Sequence, residues 1–207
     1  MNANNGIVGI ILAGGAAERM GGGDKGMLPL NSKSLIETVR DRLSPQVDRI
    51  ALNANGDPRR FAIFGLEVIA DPLAERVGPL GGILAGLEWA RRTVPSASHV
   101  VTAAADTPFF PRDLVSRLAA AMTGRPAVAC SGGRVHPIFA LWPVELADDL
   151  ARHLARNGSR RVAAYACEMH SAALVEFPSE PDSDPFFNVN TPDDLLVARE
   201  RHQREAP

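Results

Sequence analysis

The part of this sequence best suited to chemistry is an apolar run that opens into a glycine-rich segment with two cations. Residues 7–13 are apolar, Gly14 and Gly15 follow directly, and the segment beyond them carries Arg19 and Lys25. Glycine has no Cβ, so backbone N–H groups can come close to a bound anion. Two cations in the same segment can neutralise a polyphosphate. The pattern therefore predicts a strand followed by a binding site for a nucleoside triphosphate.

Two familiar phosphate-binding motifs describe this segment poorly. A Walker A loop needs Ser or Thr after its lysine, whereas Gly26 follows Lys25. Gly21, Gly23 and Gly26 fit the dinucleotide pattern G-x-G-x-x-G, but they begin well after the strand and do not lead directly into a helix. A flexible surface loop is the remaining alternative, and the close flanking of both cations by glycines disfavours it.

Further candidate residues stand just after predicted strands. Asp106 follows the apolar residues 99–104, and Mg²⁺ prefers one or two carboxylates together with phosphate oxygens. Asp106 is therefore a candidate metal ligand, although Asp is also common in a turn before a proline such as Pro108. Asn53 and Asp71 suit ribose hydroxyls and the N1–H and N2–H₂ of guanine, or they only form turns.

Strand-like and helix-like segments alternate along the chain. Strands are predicted over residues 7–13, 49–53, 66–69, 99–104, 127–130, 137–141 and 172–177. Helices are predicted over residues 34–43, 83–92, 111–122, 143–156 and 191–203, with a further helix starting in 160–165. This alternation predicts a three-layer α/β/α sandwich, Rossmann-like, with a mostly parallel sheet. Ligands bind such sheets beyond the carboxyl ends of the strands, so the loops after Ala13, Asn53, Ile69 and Ala104 should share one edge.

Two of these helices carry start signals. Ser34 and Glu37 have the spacing of a capping box, and Thr191 is an N-cap candidate followed by Pro192.

The composition of the chain disfavours several classes of protein. The chain has 207 residues and a net charge of −2 without a basic stretch, so neither nucleic acid nor a membrane is expected as a partner. Cys130 and Cys167 are far apart, which favours core thiols in a reducing compartment over a zinc site or a disulfide. No apolar run reaches about 18 to 20 residues, and residues 1–5 lack the positive charge of a signal peptide. We expect a cytoplasmic protein with one domain over residues 1–207.

The glycine-rich segment resembles the signature of the molybdenum cofactor guanylyltransferase (MobA) family, roughly L-A-G-G-x-x-x-R-M-G-x-x-K. The matching residues are Leu12, Ala13, Gly14, Gly15, Arg19, Met20, Gly21 and Lys25. Four further family elements follow in order, namely Gly78–Gly82 for G-P-L-x-G, Asp106–Pro108 for D-x-P, His136–Pro137, and Phe187–Pro192 for F-x-N-x-N-T-P. One departure is the pair Lys33–Ser34, where members usually carry Gly-Pro.

The resemblance implies a function and a set of site residues. The family transfers GMP from GTP to molybdenum-molybdopterin and releases pyrophosphate, on a fold of the nucleotide-diphospho-sugar transferase type. It implies GTP-binding roles for Leu12, Ala13, Gly14, Gly15, Lys25, Asn53, Asp71 and Asp106. It implies catalysis by Arg19, Lys25 and Asp106, Mg²⁺ on Asp106, and acceptor binding at Gly82, Asn188 and Asn190. The N-terminal part would then bind GTP and the C-terminal part the acceptor.

Several alternatives remain at this point. The same chemistry could serve cytidylyl transfer to the same cofactor or nucleotidyl transfer to a sugar-1-phosphate; the Gly14–Gly15 pair and the Asn-rich closing motif argue against both. A non-catalytic carrier is disfavoured by the set of Arg19, Lys25 and Asp106, and a nicotinamide oxidoreductase by the misplaced glycines. The expected partners are GTP, molybdopterin and recipient molybdoenzymes or their chaperones, with the chain as a monomer.

Overall fold

The computed structural model describes residues 6–14, 24–73, 77–180 and 183–205. The strands are β1 Ile7–Leu12, β2 Pro29–Leu30, β3 Lys33–Ser34, β4 Ile50–Asn53, β5 Glu67–Ile69, β6 His99–Ala104, β7 Ala127–Ser131, β8 Arg134–Pro143 and β9 Ala173–Glu176. The α-helices are α1 Leu35–Leu43, α2 Pro79–Thr93, α3 Leu114–Ala121, α4 Ala147–Ala155 and α5 Pro192–Glu205. Short 3-10 segments are Lys25–Met27, Ser44–Gln46, Pro58–Phe64 and Val144–Leu146, and Ala164–Met169 is π-helical.

A seven-stranded sheet in the order β5-β4-β1-β6-β8-β7-β9 forms the centre of the protein. Only β8 runs antiparallel to its neighbours in this sheet, so the prediction of a mostly parallel sheet is confirmed. Leu12 lies opposite both Asn53 and Ala104, and Asn53 lies opposite Ile69. The carboxyl ends of β1, β4, β5 and β6 therefore share one edge, as the sequence predicted.

Helices cover both faces of the sheet. Ile10 and Ile11 are adjacent in β1 and point to opposite faces, yet both are fully buried. Ile11 packs in a cluster that includes α1 and α3, whereas Ile10 packs with α2 and α4. A strand buried on both faces reads as a continuous apolar run, which explains the sequence of residues 7–12. A third, smaller cluster holds α5 through Leu195, beside Val189.

The start of α1 agrees with its predicted capping box. Ser34 Oγ accepts a hydrogen bond from the Glu37 N–H at 3.2 Å, and Glu37 Oε2 accepts one from the Ser34 N–H at 2.7 Å. The hydrogen bonds that the Ser34 N–H and the Ser34 hydroxyl donate to the Glu37 carboxylate lower the pKa of Glu37 below its ordinary value of 4.5.

Several predicted boundaries were wrong, for local reasons. α2 begins at Pro79 rather than at residue 83, because proline is well accommodated in the first helical turn. α3 and α4 begin later than predicted, after a turn at Pro111 and a 3-10 turn over Val144–Leu146. β8 is longer than predicted because one part pairs with β6 and most of its length with β7. Within the described residues, no helix has the length and apolar character needed to cross a bilayer.

Candidate nucleotide site

Lys25 lies at the centre of a cluster of polar side chains at the carboxyl edge of the sheet. Its Nζ donates hydrogen bonds to Asp106 Oδ2 at 2.8 Å and to Asn190 Oδ1 at 2.5 Å, and Asn188 Oδ1 lies 3.5 Å away. Lys25 is buried, whereas both asparagines are exposed. We call these four residues the lysine cluster. It brings together predicted residues from the start, the middle and the end of the chain.

A tight turn fixes the position of Lys25. Lys25–Met27 forms a 3-10 turn whose Gly26 is buried between α1 and the loop after β6. A Cβ on Gly26 would lie 2.7 Å from Ile36 Cγ1 and 3.2 Å from Ala105 Cβ. These distances are too short for a larger residue, so glycine lets the turn that carries Lys25 pack against both elements.

Asp106 is held between β1 and the closing segment of the chain. The Ala105 N–H donates to Leu12 O at 3.0 Å, and the Val189 N–H donates to Asp106 O at 2.9 Å. A small cavity of about 20 Å³ lies beside the carboxylate. Its lining residues are Leu12, Ala13, Lys25, Gly26, Ala105 and Asp106.

Asp194 positions Asn190, and sequence reasoning missed it. Asp194 Oδ2 accepts hydrogen bonds from the N–H groups of Asn190 at 2.9 Å and Thr191 at 2.8 Å, while Thr191 Oγ1 accepts one from the Asp194 N–H at 3.1 Å. Burial raises the pKa of Asp194, but these hydrogen bonds outweigh it, so the pKa falls below its ordinary value of 3.8. Thr191 is the N-cap, as predicted. The spacing of Thr191 and Asp194 was the available signal, because it matches that of a capping box.

A second polar cluster lies at the ends of β4 and β5. Asp71 Oδ1 accepts a hydrogen bond from Asn53 Nδ2 at 2.9 Å, and Asp71 Oδ2 accepts one from Asn55 Nδ2 at 2.8 Å. Asn53 Nδ2 also donates to Ile69 O at 3.2 Å, and Asn55 Oδ1 accepts from the Asp71 N–H at 2.9 Å. We call Asn53, Asn55 and Asp71 the asparagine–aspartate cluster. Asn55 was not predicted, although the repeated Asn after a strand was a visible signal.

Gly82 packs against this second cluster. A Cβ on Gly82 would overlap Asn53 Oδ1 and would lie 2.8 Å from Leu12 Cδ2. A Cβ on the preceding Gly81 would lie 3.0 Å from Asp71 Oδ2. The start of α2 therefore needs small residues to approach the two side chains. Gly82 was predicted to bind the acceptor, and its close contacts are with residues predicted to bind GTP.

The remaining predicted site residues differ in where they lie. Leu12 and Ala13 line the cavity beside Lys25. Gly14 is exposed, and a Cβ there would meet no atom of the described residues within 4 Å. Gly15 and Arg19 lie outside the described residues.

The chemistry of the donor set fits a hard cation better than a thiophilic one. Asp106, Asn188 and Asn190 offer carboxylate and carboxamide oxygens, the kind of ligand that Mg²⁺ prefers. Across the described ranges, no group of three or more His, Cys, Asp or Glu side chains is placed to hold a metal ion. A cation at Asp106 would therefore need oxygens from amides, water or a bound phosphate.

His136, which was left out of the predicted catalytic set, packs against neighbouring side chains. Its Nε2 lies 2.7 Å from Ser131 Oγ, and its ring stacks on Phe186 with centroids 4.4 Å apart. Burial lowers the pKa of His136 below its ordinary value of 6.5, which favours the neutral ring.

The fold is that of an α/β protein with two polar clusters at the carboxyl edge of its sheet, where such proteins bind their ligands. The model of the MobA-like NTP transferase domain matches residues 9–172, so the chain belongs to the MobA-like NTP transferase family and is a nucleotidyltransferase. A molybdenum cofactor guanylyltransferase of Mesorhizobium japonicum is 53% identical to it over 197 residues, covering 93% of this chain and 94% of the relative.

Solved structures share the fold. Molybdopterin-guanine dinucleotide biosynthesis protein A of Archaeoglobus fulgidus superposes with a TM-score of 0.69 at 25% identity, covering 96% of this chain and 99% of that one. A Mycobacterium tuberculosis H37Rv protein solved in complex with manganese gives a TM-score of 0.65 at 17% identity, covering 96% of this chain and 100% of that one. The second likeness concerns the fold alone.

Proposed function

We propose that this protein transfers GMP from GTP to molybdenum-molybdopterin, which forms the guanine dinucleotide form of the cofactor and releases pyrophosphate. The single observation that carries the proposal is the convergence of Lys25, Asp106 and Asn190 at the carboxyl edge of the sheet. The name of the Mesorhizobium japonicum relative supports the same acceptor.

The reaction does not need a general base from the protein. The attacking group is a phosphate monoester, whose second pKa of about 6 leaves it largely dianionic near neutral pH. The main barrier is the approach of this dianion to the α-phosphorus of an anionic triphosphate. Catalysis therefore depends on positioning and charge neutralisation, and we assign the charge to Lys25 together with Arg19.

We assign Mg²⁺ to Asp106, with the carboxamide oxygen of Asn190 as a further donor. The set of oxygen donors supports this assignment. When bound, the ion would polarise the phosphate and stabilise the departing pyrophosphate. Lys25 contacts both donor oxygens, while Asp194 and the backbone contact to Val189 hold the segments that carry them.

We assign recognition of guanine to the asparagine–aspartate cluster. Each oxygen of the Asp71 carboxylate already accepts one amide hydrogen bond and has a further lone pair. The N1–H and N2–H₂ of guanine offer two donors to such a carboxylate, and cytosine and uracil do not offer them in that arrangement. Leu12, Ala13, Gly14 and Gly15 would lie along the rest of the GTP.

The acceptor site is assigned to the C-terminal part of the chain. Asn188 and Asn190 are exposed beside Lys25, where a second phosphate could reach the α-phosphorus. Gly82 would then lie between the guanine side and the acceptor. We further propose that the chain works as a monomeric single domain in the cytoplasm and passes its product to molybdoenzymes or their chaperones.

The decisive experiment combines the purified protein with GTP, Mg²⁺ and molybdenum-molybdopterin. We expect pyrophosphate release that depends on all three, and a dinucleotide product by mass spectrometry. Parallel reactions with CTP, ATP and UTP, and with a sugar-1-phosphate as acceptor, test the related transferases. Binding of GTP or of the cofactor without pyrophosphate release would contradict the proposal and indicate a carrier.

A further inference from the structure

Arg60 connects the two polar clusters of the site. Its Nε donates to Asp24 Oδ2 at 2.5 Å, and its Nη2 donates to Asp24 Oδ1 at 3.3 Å and to Asn55 O at 2.6 Å. Asp24 directly precedes Lys25, and Asn55 holds Asp71. One guanidinium thus joins the segment that carries the catalytic lysine to the loop that holds the guanine-side carboxylate.

The local sequence positions Arg60 for this contact. It belongs to the 3-10 segment Pro58–Phe64, and its guanidinium lies over the ring of Phe61 at 4.5 Å from the centroid. Its Nη1 donates to Asp57 O at 3.1 Å. Gly56 has a φ of +88°, and a Cβ there would lie 2.8 Å from Arg60 Nη1. The positive φ favours glycine at this position, and a side chain there would displace the Arg60 guanidinium from its contacts.

The charge of Asp24 gives the contact its importance. An unpaired carboxylate beside Lys25 would repel a triphosphate and could compete for the lysine ammonium. Arg60 engages both oxygens of Asp24, and charge-assisted hydrogen bonds of this kind are strong and directional. Arg60 therefore both neutralises Asp24 and fixes the orientation of its carboxylate.

We propose that Arg60 is a positioning residue that couples guanine recognition to the placement of Lys25. The inference rests on the proposed function, since it assigns Arg60 a role in the same GTP site. Arg60 acts through Asp24 and Asn55 and does not contact the substrate. Its removal should change both GTP affinity and the discrimination between bases.

The test compares Arg60→Ala, Arg60→Lys, Asp24→Asn and the double variant Arg60→Ala/Asp24→Asn. Isothermal titration calorimetry measures the Kd for GTP and for ATP, and pyrophosphate release measures kcat and KM. We expect Arg60→Ala to weaken GTP binding about tenfold and to lower the GTP/ATP preference. Asp24→Asn should weaken binding in the same direction, and the double variant should be no worse than Arg60→Ala. Arg60→Lys should be intermediate, because an ammonium keeps the charge but lacks the planar fork with which the guanidinium reaches both oxygens of Asp24 and Asn55 O.

Arg59→Ala is the matched control. Arg59 precedes Arg60, its side chain is 88% exposed, and it pairs with Asp57. Its removal should leave GTP binding and base preference unchanged, and thermal unfolding of each variant verifies that the fold persists.

Two results would overturn the inference. In the first, Arg60→Ala binds GTP as tightly as Arg59→Ala does, or the losses of GTP binding free energy caused by Arg60→Ala and by Asp24→Asn add in full in the double variant. In the second, Asp24→Asn tightens GTP binding while Arg60→Ala weakens it, which would mean that Arg60 contacts the triphosphate itself. The binding measurement decides the role of Arg60 whatever the transfer assay gives, so failure of the proposed function would be seen separately.

Discussion

The ammonium of Lys25 lies 2.8 Å from Oδ2 of Asp106, although 81 residues separate them in the chain. Only 11% of the Lys25 side chain and 20% of the Asp106 side chain are exposed. The pair joins the turn after the glycine-rich segment to the end of β6. Because both groups are held by packing and hydrogen bonds, the charges of the site are oriented before a substrate arrives, which is the condition for electrostatic catalysis.

We predict that Lys25→Ala lowers kcat by about a hundredfold to a thousandfold, since it removes a preorganised charge from the proposed triphosphate site. Lys25→Arg should not restore activity, because a planar guanidinium does not fit the position of a compact ammonium in this buried turn. The measurement is steady-state pyrophosphate release, with circular dichroism to confirm folding. Near wild-type turnover in folded Lys25→Ala would remove the lysine from the mechanism.

We predict that Asp71→Ala lowers the preference for GTP over ATP by about tenfold to a hundredfold, because hydrogen bonds to a charged group contribute strongly to selectivity. Asn55→Ala should change the preference in the same direction but less, since it frees only one of the two Asp71 oxygens. The measurement is the ratio of kcat/KM for the two nucleotides. An unchanged ratio in Asp71→Ala would contradict the assignment, and Asp41→Ala is a control at an acid that pairs with Lys33 and Arg40.

We predict that Gly82→Ala and Gly86→Ala, two substitutions in α2, have different effects. The first should change the KM for GTP, and the second should change stability. The added methyl of Gly82→Ala would meet Asn53, whereas that of Gly86→Ala would lie 2.6 Å from Ile10 Cγ1 in the core. Gly82→Ala should therefore raise the KM for GTP, and Gly86→Ala should lower Tm by several degrees and leave that KM unchanged. If Gly82→Ala instead raised only the KM for the acceptor, the acceptor role predicted from the sequence would be supported and the close contact with Asn53 would be irrelevant to GTP.

We predict that His136 contributes a pH-dependent share of the stability. Burial lowers its pKa in the folded state below the ordinary value of 6.5, although Asp184 opposes the shift. The unfolded state therefore binds more protons as the pH falls below 6.5, and stability decreases in that direction.

This contribution is complete above pH 6.5 and is lost as the pH falls through the folded-state pKa. The test compares the free energy of unfolding of wild type and His136→Gln by urea denaturation between about pH 8 and pH 5. The decrease in the free energy of unfolding toward low pH should be smaller in His136→Gln than in wild type. Because burial also lowers the pKa of His99, His99→Gln should remove a separate part of the pH dependence of the unfolding free energy. Equal pH dependence in wild type and His136→Gln would show that the ring does not contribute.

Most contacts that the sequence did not predict are those between residues distant in the chain. Asn55 is 16 residues from Asp71, and Arg60 is 36 residues from Asp24. Local patterns report helices, strands and caps, and they carry no information on which exposed side chains meet. Only the cap around Thr191 could have indicated Asp194 in advance, because that contact is local.

The sequence by itself determined the layered fold, the glycine-rich segment and the strand-end position of Asn53, Asp71 and Asp106. It could do so because the periodicity of apolar residues is local, and because the carboxyl ends of parallel strands must meet at one edge. The tertiary structure alone decided that Lys25 joins Asp106 to Asn190, that Gly82 contacts Asn53, and that Arg60 links the two clusters. Those pairings depend on packing between distant segments, where the steric and hydrogen-bonding needs of both partners must be met at once.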